Sequence, residues 1–593
     1  MRVARIAFLM LSASACALAP IHAQTTRRVP LPFATIQAAI DAAQPGDEVV
    51  VDPGTYRERI DFRGKAITVR SSAGPSATII DGDGMGIVVT FENGEGRASV
   101  LRGFTVTNGV GDDGANVYCL RTSPTIVGNH LIHGTAKRGG GIYTEAGAPR
   151  VEGNEIRDNR ADYGGGVSVQ GGRVTLIGNR IVDNSSRSGG GVLCEDATLR
   201  LLDNRIEDNS WYGVLALRSD LPLVRGNVVR GNRSDAGGAG LVCSGGAKLV
   251  LEGNRFEANE GPRGGGVAVE DVGEVEVLGC VFIANRAKYQ WGAGLYVEAE
   301  RLLVRDCVFR RNRAFLYGGG LFCQAPRTRV INSVFWRNSG PRGGGAVHVR
   351  AADVIHCTLV DNSGGCEGGG VRSTGALRVT NTVLWDNFAT QAPQAAVDGP
   401  LEMTHSNVDG GQVGVQWAGG GPLLWGPGML SEAPRFVESA AGDLRLQFDS
   451  PCRDAGSATA VTLPGVDFEG DPRIAQDAPD IGADEFYPHL YTQSAPSPGV
   501  TYDLRVIAPP GDPVVWALSA VPQLARSPVR VQGLRGRLAL QEPFAAVALG
   551  VAPAAGWVAL RGSLPAAFPV PLDVPTQSVV GLRLTNPEVL EVR

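Results

Sequence analysis

Residues 151–166 read VEGNEIRDNRADYGGG, and residues 176–191 read LIGNRIVDNSSRSGGG. The shared pattern is Asn, one residue, an apolar residue, two residues, Asn, then a glycine tract. Its second asparagine recurs at Asn159, Asn184, Asn209, Asn232, Asn259, Asn285, Asn312, Asn338, Asn362 and Asn387, at intervals of 23 to 27 residues. Glycine tracts keep step, as at Gly164–Gly166, Gly189–Gly191 and Gly264–Gly266. A period of this length means that one supersecondary unit is being stacked on copies of itself. No other feature restricts the fold as strongly.

One unit predicts three short strands. From Gly189 onward, VLCE puts Val192 and Cys194 on one side, TLRLL turns Leu199 and Leu201 inward, and Ile206 follows Asn204 by two. Period-2 alternation over runs this short is a strand signal. Three strands per coil of about 25 residues, stacked ten or so times, predict an all-β right-handed parallel β-helix, a rod of roughly 50 Å at ~4.8 Å per coil. Equivalent residues then touch. The apolar position is Ile156, Ile181, Ile206, Val229, Phe256, Phe282, Phe309, Phe335, Leu359 and Leu384, an expected interior ladder. The asparagines are read as left-handed turn residues whose amides bond to the next coil. The glycines are read as suppliers of positive φ.

The remainder divides around this core. Residues 1–23 read as a secretory signal peptide, with Arg2 and Arg5 before an apolar run and cleavage after Ala23. Lipoprotein anchoring through Cys16 is the minor alternative. Residues 24–400 are assigned to the β-helix. Phe33, Ile36, Ile40 and Ala43 lie at helical spacing, so 33–44 is expected to be a capping helix. Residues 401–490 are read as the closing region. From 494 to 593 repeats vanish and alternating runs such as TYDLRVIA predict a small β-sandwich-like module. No stretch after the leader is long and apolar enough to span a bilayer. A net charge of −5 gives no basic excess for nucleic acid. The expected setting is secreted or cell-surface, as a monomer.

Nine cysteines remain after Cys16. Cys194, Cys243 and Cys323 fall on inward strand positions, and Cys280, Cys307 and Cys357 replace the first asparagine. Buried thiols acting as small hydrophobes are the favoured reading. A disulfide between Cys280 and Cys307, on adjacent coils, is the other.

The segment from FATIQAAIDAAQ through DPGTY resembles the opening of the pectin-lyase-like β-helix superfamily. The repeats resemble the right-handed β-helix repeat. More distantly, FEAN, FIAN, FRRN and FWRN resemble the FxxN repeats of polymorphic outer-membrane proteins. APRFVESAAGDLRLQFDSPCRDAGS through DPRIAQDAPDIGADEF resembles the closing region of exported bacterial β-helix proteins. These resemblances cover roughly residues 30–486. They imply the fold more than the activity, because the superfamily hosts lyases, hydrolases, esterases, adhesins and inactive scaffolds.

Enzymes of that superfamily work in a groove on the outer side of the coil. Register places Tyr296, His348 and Arg372 in one outward row, and Glu195, Glu270, Glu298 and Arg350 in the next. Trp291 and Tyr317 precede the glycines. Aromatic faces pack on sugar rings, and carboxylates accept hydroxyl hydrogen bonds. Glu195, Glu270, Glu298, Tyr296, Trp291 and Tyr317 are therefore the candidate glycan-binding residues. His348, Arg350 and Arg372 are the candidate catalytic residues, for a lyase using a basic side chain. The aspartate groups and GHG of polygalacturonases, the DFIFG of pectin methylesterases and the WxDH of pectate lyases are absent from the sequence. In DGDG, Asp81 and Asp83 are candidate calcium ligands, although no full calcium loop follows; no cofactor is required. The favoured function is an exported scaffold that binds glycans or surface partners without catalysis. The alternative is a carbohydrate-active enzyme, a polysaccharide lyase or, failing that, a glycoside hydrolase.

Overall fold

A computed structural model describes residues 24–486, apart from 419–421, 448, 460–463 and 475–477. Beyond these it gives only backbone strands between 489 and 584. The expected signal peptide, with Cys16, lies outside the described residues. So do the side chains of the expected C-terminal module. Its backbone strands pair antiparallel, Thr501–Ile507 with Trp557–Ser563 and Pro513–Ser519 with Phe544–Val551.

The described chain is a parallel β-helix. The coil read from sequence is built of strands Val192–Glu195, Thr198–Leu202 and Arg205–Glu207. Each pairs in parallel with its equivalent one coil on. The third strands stack into a sheet of 15. The rod is therefore longer than the ten or so coils of the asparagine pattern, about 70 Å at ~4.8 Å per coil. The early coils, already inside the 24–400 assignment, keep the strands but lack the asparagine signature. At the N-terminal end, strand β1 (Thr26–Val29) precedes helix α1 (Ile36–Ala42) and pairs with β2 (Glu48–Val51). Thr35 caps α1 by accepting from the Ala38 amide at 3.1 Å. The Glu58 carboxylate takes the Ile36 and Gln37 amides. Ile36, Ala39 and Ile40 seal the end of the core. Among the described residues no helix is long and apolar enough to cross a membrane.

The interior ladder is as expected. Ile206, Phe256, Phe282, Phe309 and Phe335 are fully buried. The phenylalanine rings stack at 5.2, 4.6 and 4.5 Å between centroids. Burial and stacking together predict that Phe309→Leu lowers stability by about 1–2 kcal/mol, read as a shift of the urea midpoint at constant slope.

The asparagines do something other than expected with their backbone. Positive φ falls on the residue before each: Asp158, Asp183 and Asp208 before the second asparagine, Gly153, Gly178 and Asp203 before the first. Each turn needs a left-handed residue and an inward amide, and one residue cannot supply both. The asparagine side chain points inside and is spent completely. Asn209 Oδ1 accepts from the Asn184 backbone amide at 3.0 Å and from Asn184 Nδ2 at 3.1 Å. Its Nδ2 donates to Asn232 Oδ1 at 3.1 Å and to the Ile181 carbonyl at 2.9 Å. The string runs unbroken from Asn159 to Asn387. It ends through Gln394 on the Asp409 carboxylate.

Glycine likewise has two duties. Gly189 takes the positive φ, but Gly190 does not, and a Cβ there would sit 1.7 Å from the Ser210 carbonyl oxygen. The first glycine turns the chain and the second lets the next coil approach.

All nine described cysteines are free, and eight are buried; Cys366 is exposed. Cys280 and Cys307 do more than fill space. Cys280 Sγ accepts from the Asn254 amide, and Cys307 Sγ from the Cys280 amide, both at 3.4 Å. A thiol there replaces the missing asparagine oxygen. Burial pushes the Cys280 thiol up to about 11, which holds it protonated.

Residues past 430 fold back along the outer side of the third-strand sheet. Leu444 and Ala483 pack on Val334, Trp336 and Val360. The Ala483 amide donates to Thr358 Oγ1 at 2.9 Å, and the Gly482 amide to the Asn381 carbonyl at 2.9 Å. Arg473, 2% exposed, bonds the Gly482 and Ala483 carbonyls and Asn332.

Candidate functional site

The first outward row is not open. Tyr296 is fully buried, Phe322 is 4% exposed and His348 is 7% exposed. Tyr212, Trp291 and Tyr317, just before the glycine tracts, fold over this row and make a second apolar cluster with Leu193, Leu215 and Val242. Trp291 stacks on Tyr296 at 6.2 Å and on Phe322 at 5.2 Å. Tyr317 meets His348 at 4.8 Å, and Phe322 lies against its other neighbour face at 5.0 Å. Trp291 and Tyr317 are half-buried.

The candidate catalytic side chains separate accordingly. Burial, with the Arg372 charge beside it, pushes His348 down to about 3, so the imidazole is neutral at ordinary pH. Its Nδ1 has no hydrogen-bond partner. Arg372 is held by Glu367 at 3.0 Å and Asp398 at 2.6 Å. Arg350 alone of the three is exposed.

The second outward row does reach solvent. Glu298 and Arg350 line one groove of about 590 Å³ with Asp271, Glu300 and Gln324. Behind it, the Tyr296 hydroxyl donates to Glu298 Oε1, and Arg263 pairs with Glu270 while its guanidinium lies 5.4 Å from the Tyr296 ring centre. Burial raises the Glu270 carboxyl above its ordinary value, against the Arg263 charge. Glu195 stands apart, three coils from Glu270 in the same row. The Tyr–Glu–Arg arrangement also occurs earlier in the rod. The Tyr143 hydroxyl donates to Glu145 at 2.9 Å beneath Arg138, whose guanidinium is 5.4 Å from that ring. A cluster that recurs with the repeat is a way of bracing the outward row.

Asp271 and Glu300 were not singled out by register. They lie where the first and second strands run together, in Val267–Leu278 and Leu295–Arg305, with a slip in pairing between Val269 and Val272, and a two-residue period cannot place side chains across a slip. Asp81 and Asp83 lie many coils away. Asp81 Oδ1 accepts from the Asp83 amide at 3.0 Å and from Asn108 Nδ2 at 2.9 Å, which is the bonding of a turn. Among the described residues no group of three or more His, Cys, Asp or Glu is arranged to hold a metal ion.

A solved structure of the pectate lyase Pel9A is similar at 14% identity, covering 79% of this chain and 97% of that one with a TM-score of 0.20. No curated protein matches the chain. The Beta_helix family model, described as a right handed beta helix region, matches residues 63–229, 142–301 and 190–366, overlapping windows that take in just over half of the chain. With its parallel coils and continuous ladders, the chain belongs to this right-handed β-helix family.

Proposed function

We propose that the protein is an exported β-helix scaffold that binds glycans, at the groove beside Glu298, Gln324 and Arg350, without cleaving them. The observation that carries this reading is the state of the basic candidates. Eliminative cleavage needs a base and an acid at the substrate and a cation to neutralise its carboxylate. His348 is under an aromatic roof, and Arg372 is neutralised by two carboxylates. What the groove offers instead is an exposed arginine, carboxylates and an amide, which suit sugar hydroxyls.

One observation favours the second reading, a polysaccharide lyase: Arg350 stands among Asp271, Glu298 and Glu300 in a single groove. The test is to incubate the mature chain, with calcium, on a panel of uronate polysaccharides and follow the unsaturated-product absorbance, with glycan-array binding in parallel. The expected result is binding without product, and a loss of roughly tenfold in affinity for Arg350→Ala. A rise in absorbance that Arg350→Ala abolishes would replace the scaffold by the lyase.

A further inference from the structure

The outer face of the second strand, in the coils between residues 97 and 250, gathers several cations in one groove. Many charged side chains on the outer faces are paired, as Arg150 with Glu152 at 2.7 Å, Arg180 with Glu155 at 2.6 Å and Arg378 with Glu402 at 3.0 Å. Arg97, Arg173 and Arg200 form no ion pair among the described residues, although acidic residues outnumber basic ones by 60 to 55 in the chain. All three are exposed, and all three line one groove of about 700 Å³. Its depth comes from short side chains, such as Ala148, Thr175 and Thr198, between the long arginines.

The charge in this groove does not cancel. Lys248 is there too, but its ammonium is held by Glu276 at 2.7 Å and Glu274 at 3.7 Å. Asp220 is the one carboxylate on the lining, against three arginines. Arg97 is pushed below its ordinary pKa, first by partial burial and then by the nearby Arg150 charge. The charges are strung along the rod. Arg173 pairs in register with Thr198, and Thr175 with Arg200, so the two arginines stand on adjacent coils, ~4.8 Å apart along the axis. A linear glycan with one acidic group per sugar advances by a comparable step. Guanidinium forks bind carboxylate and sulfate oxygens through paired donors.

We propose that this groove is a binding track for a linear anionic glycan, held by Arg97, Arg173 and Arg200. It lies earlier along the rod than the groove beside Arg350, shares no lining residue with it and does not depend on that reading. The shared chemistry is a regularly spaced oxyanion on a sugar chain, either a carboxylate or a sulfate ester.

The test uses the full mature chain, with titration of polygalacturonate, dextran sulfate and uncharged dextran at low and at moderate salt. Wild type is expected to bind at least one of the two polyanions, more weakly as salt rises, and the preferred one names the anion. Arg173→Gln with Arg200→Gln is expected to weaken that binding roughly three- to tenfold and to flatten its salt dependence, with an unchanged thermal midpoint. Equal binding by wild type and the double variant overturns the proposal. So does polyanion binding no better than dextran, or binding confined to vesicles of phosphatidylcholine with phosphatidylglycerol. Loss of polyanion binding with Arg350→Ala but not with the double variant would place the ligand in the other groove, which sinks this track and leaves the scaffold reading standing.

Discussion

Asn209→Ala is expected to destabilise the rod by on the order of 3–5 kcal/mol, with the effect concentrated in the coils on either side. The truncation deletes one amide but strands its neighbours. The Asn184 backbone N–H loses the oxygen it reaches at 3.0 Å, and the Ile181 carbonyl loses the donor at 2.9 Å. Both sit where water cannot replace the partner, since Asn184 is fully buried and Asn209 is 1% exposed. The adjacent Asp208 provides the control. It holds the left-handed φ of 53° and no rung of the ladder, so Asp208→Asn is expected to change stability by under about 0.5 kcal/mol. Urea unfolding measures the totals, and amide exchange at Asn184 and Asn232 locates them. Equal effects of the two substitutions would mean that turn geometry, rather than the amide string, holds the coils in register.

Lowering the pH from about 8.5 to 6.5 is expected to tighten the closing segment by at least about 1 kcal/mol. Asp467, Asp480, Asp484 and Glu485 are all at most 3% exposed, with Arg473 the buried cation among them. Burial pushes Asp467 up to about 6 and Asp480 up to about 7, despite the amides donating to both. It drives Asp484, which also faces Glu469 and Asp467, well above the usual carboxylate range. The sign is the reverse of the common one for a carboxylate. The folded state holds protons that the unfolded chain has released, so stability is present at the acid end and is lost as pH rises through the folded values. Two buried histidines set the lower limit. His348 and His356 are held neutral by burial, so below about pH 6.5 their protonation in the unfolded chain works the other way.

Asp484→Asn should remove much of this dependence. Asparagine keeps an oxygen for the Leu446 amide, now 3.0 Å from Asp484 Oδ2. It also turns Asp484 Oδ1, which has no partner, into a donor facing carboxylates. The measurement is amide exchange across residues 444–486 at the two pH values. Protection that grows with rising pH in wild type would mean these carboxylates are stabilised as anions.

The fold was legible in the residues because each coil repeats the same requirements. Ile206, Phe309 and their equivalents mark the interior without ambiguity, and Ile36 with Ile40 marks the cap. Two local readings failed for local reasons. The asparagine was given the left-handed turn because it tolerates one, yet Asp183 and Asp208 take it and free the amide for the inside. The first outward row was taken as surface because alternation reports only which side of the strand a residue faces. Whether that side is then roofed depends on where Trp291 and Tyr317 go, and strand alternation does not reach the residues before the glycines. The groove at Glu298 and Arg350 was half legible. Its row is regular, but Asp271 and Glu300 come from strands whose pairing slips. The buried charges around Arg473 could not be anticipated, because Asn332, which Arg473 bonds, is more than a hundred residues earlier.

The amide string also has a direction. Every rung from Asn159 onward donates toward the C-terminal coil and accepts from the N-terminal one. Aligned amide dipoles add, as they do along an α-helix, so the rod carries an internal polarity with its positive pole at the C-terminal end. The last donor in the line, Gln394 Nε2, meets the Asp409 carboxylate at 3.3 Å. An anion therefore terminates the stack at the pole where a counter-charge is favoured, and each further coil of the same kind would strengthen the field that Asp409 answers.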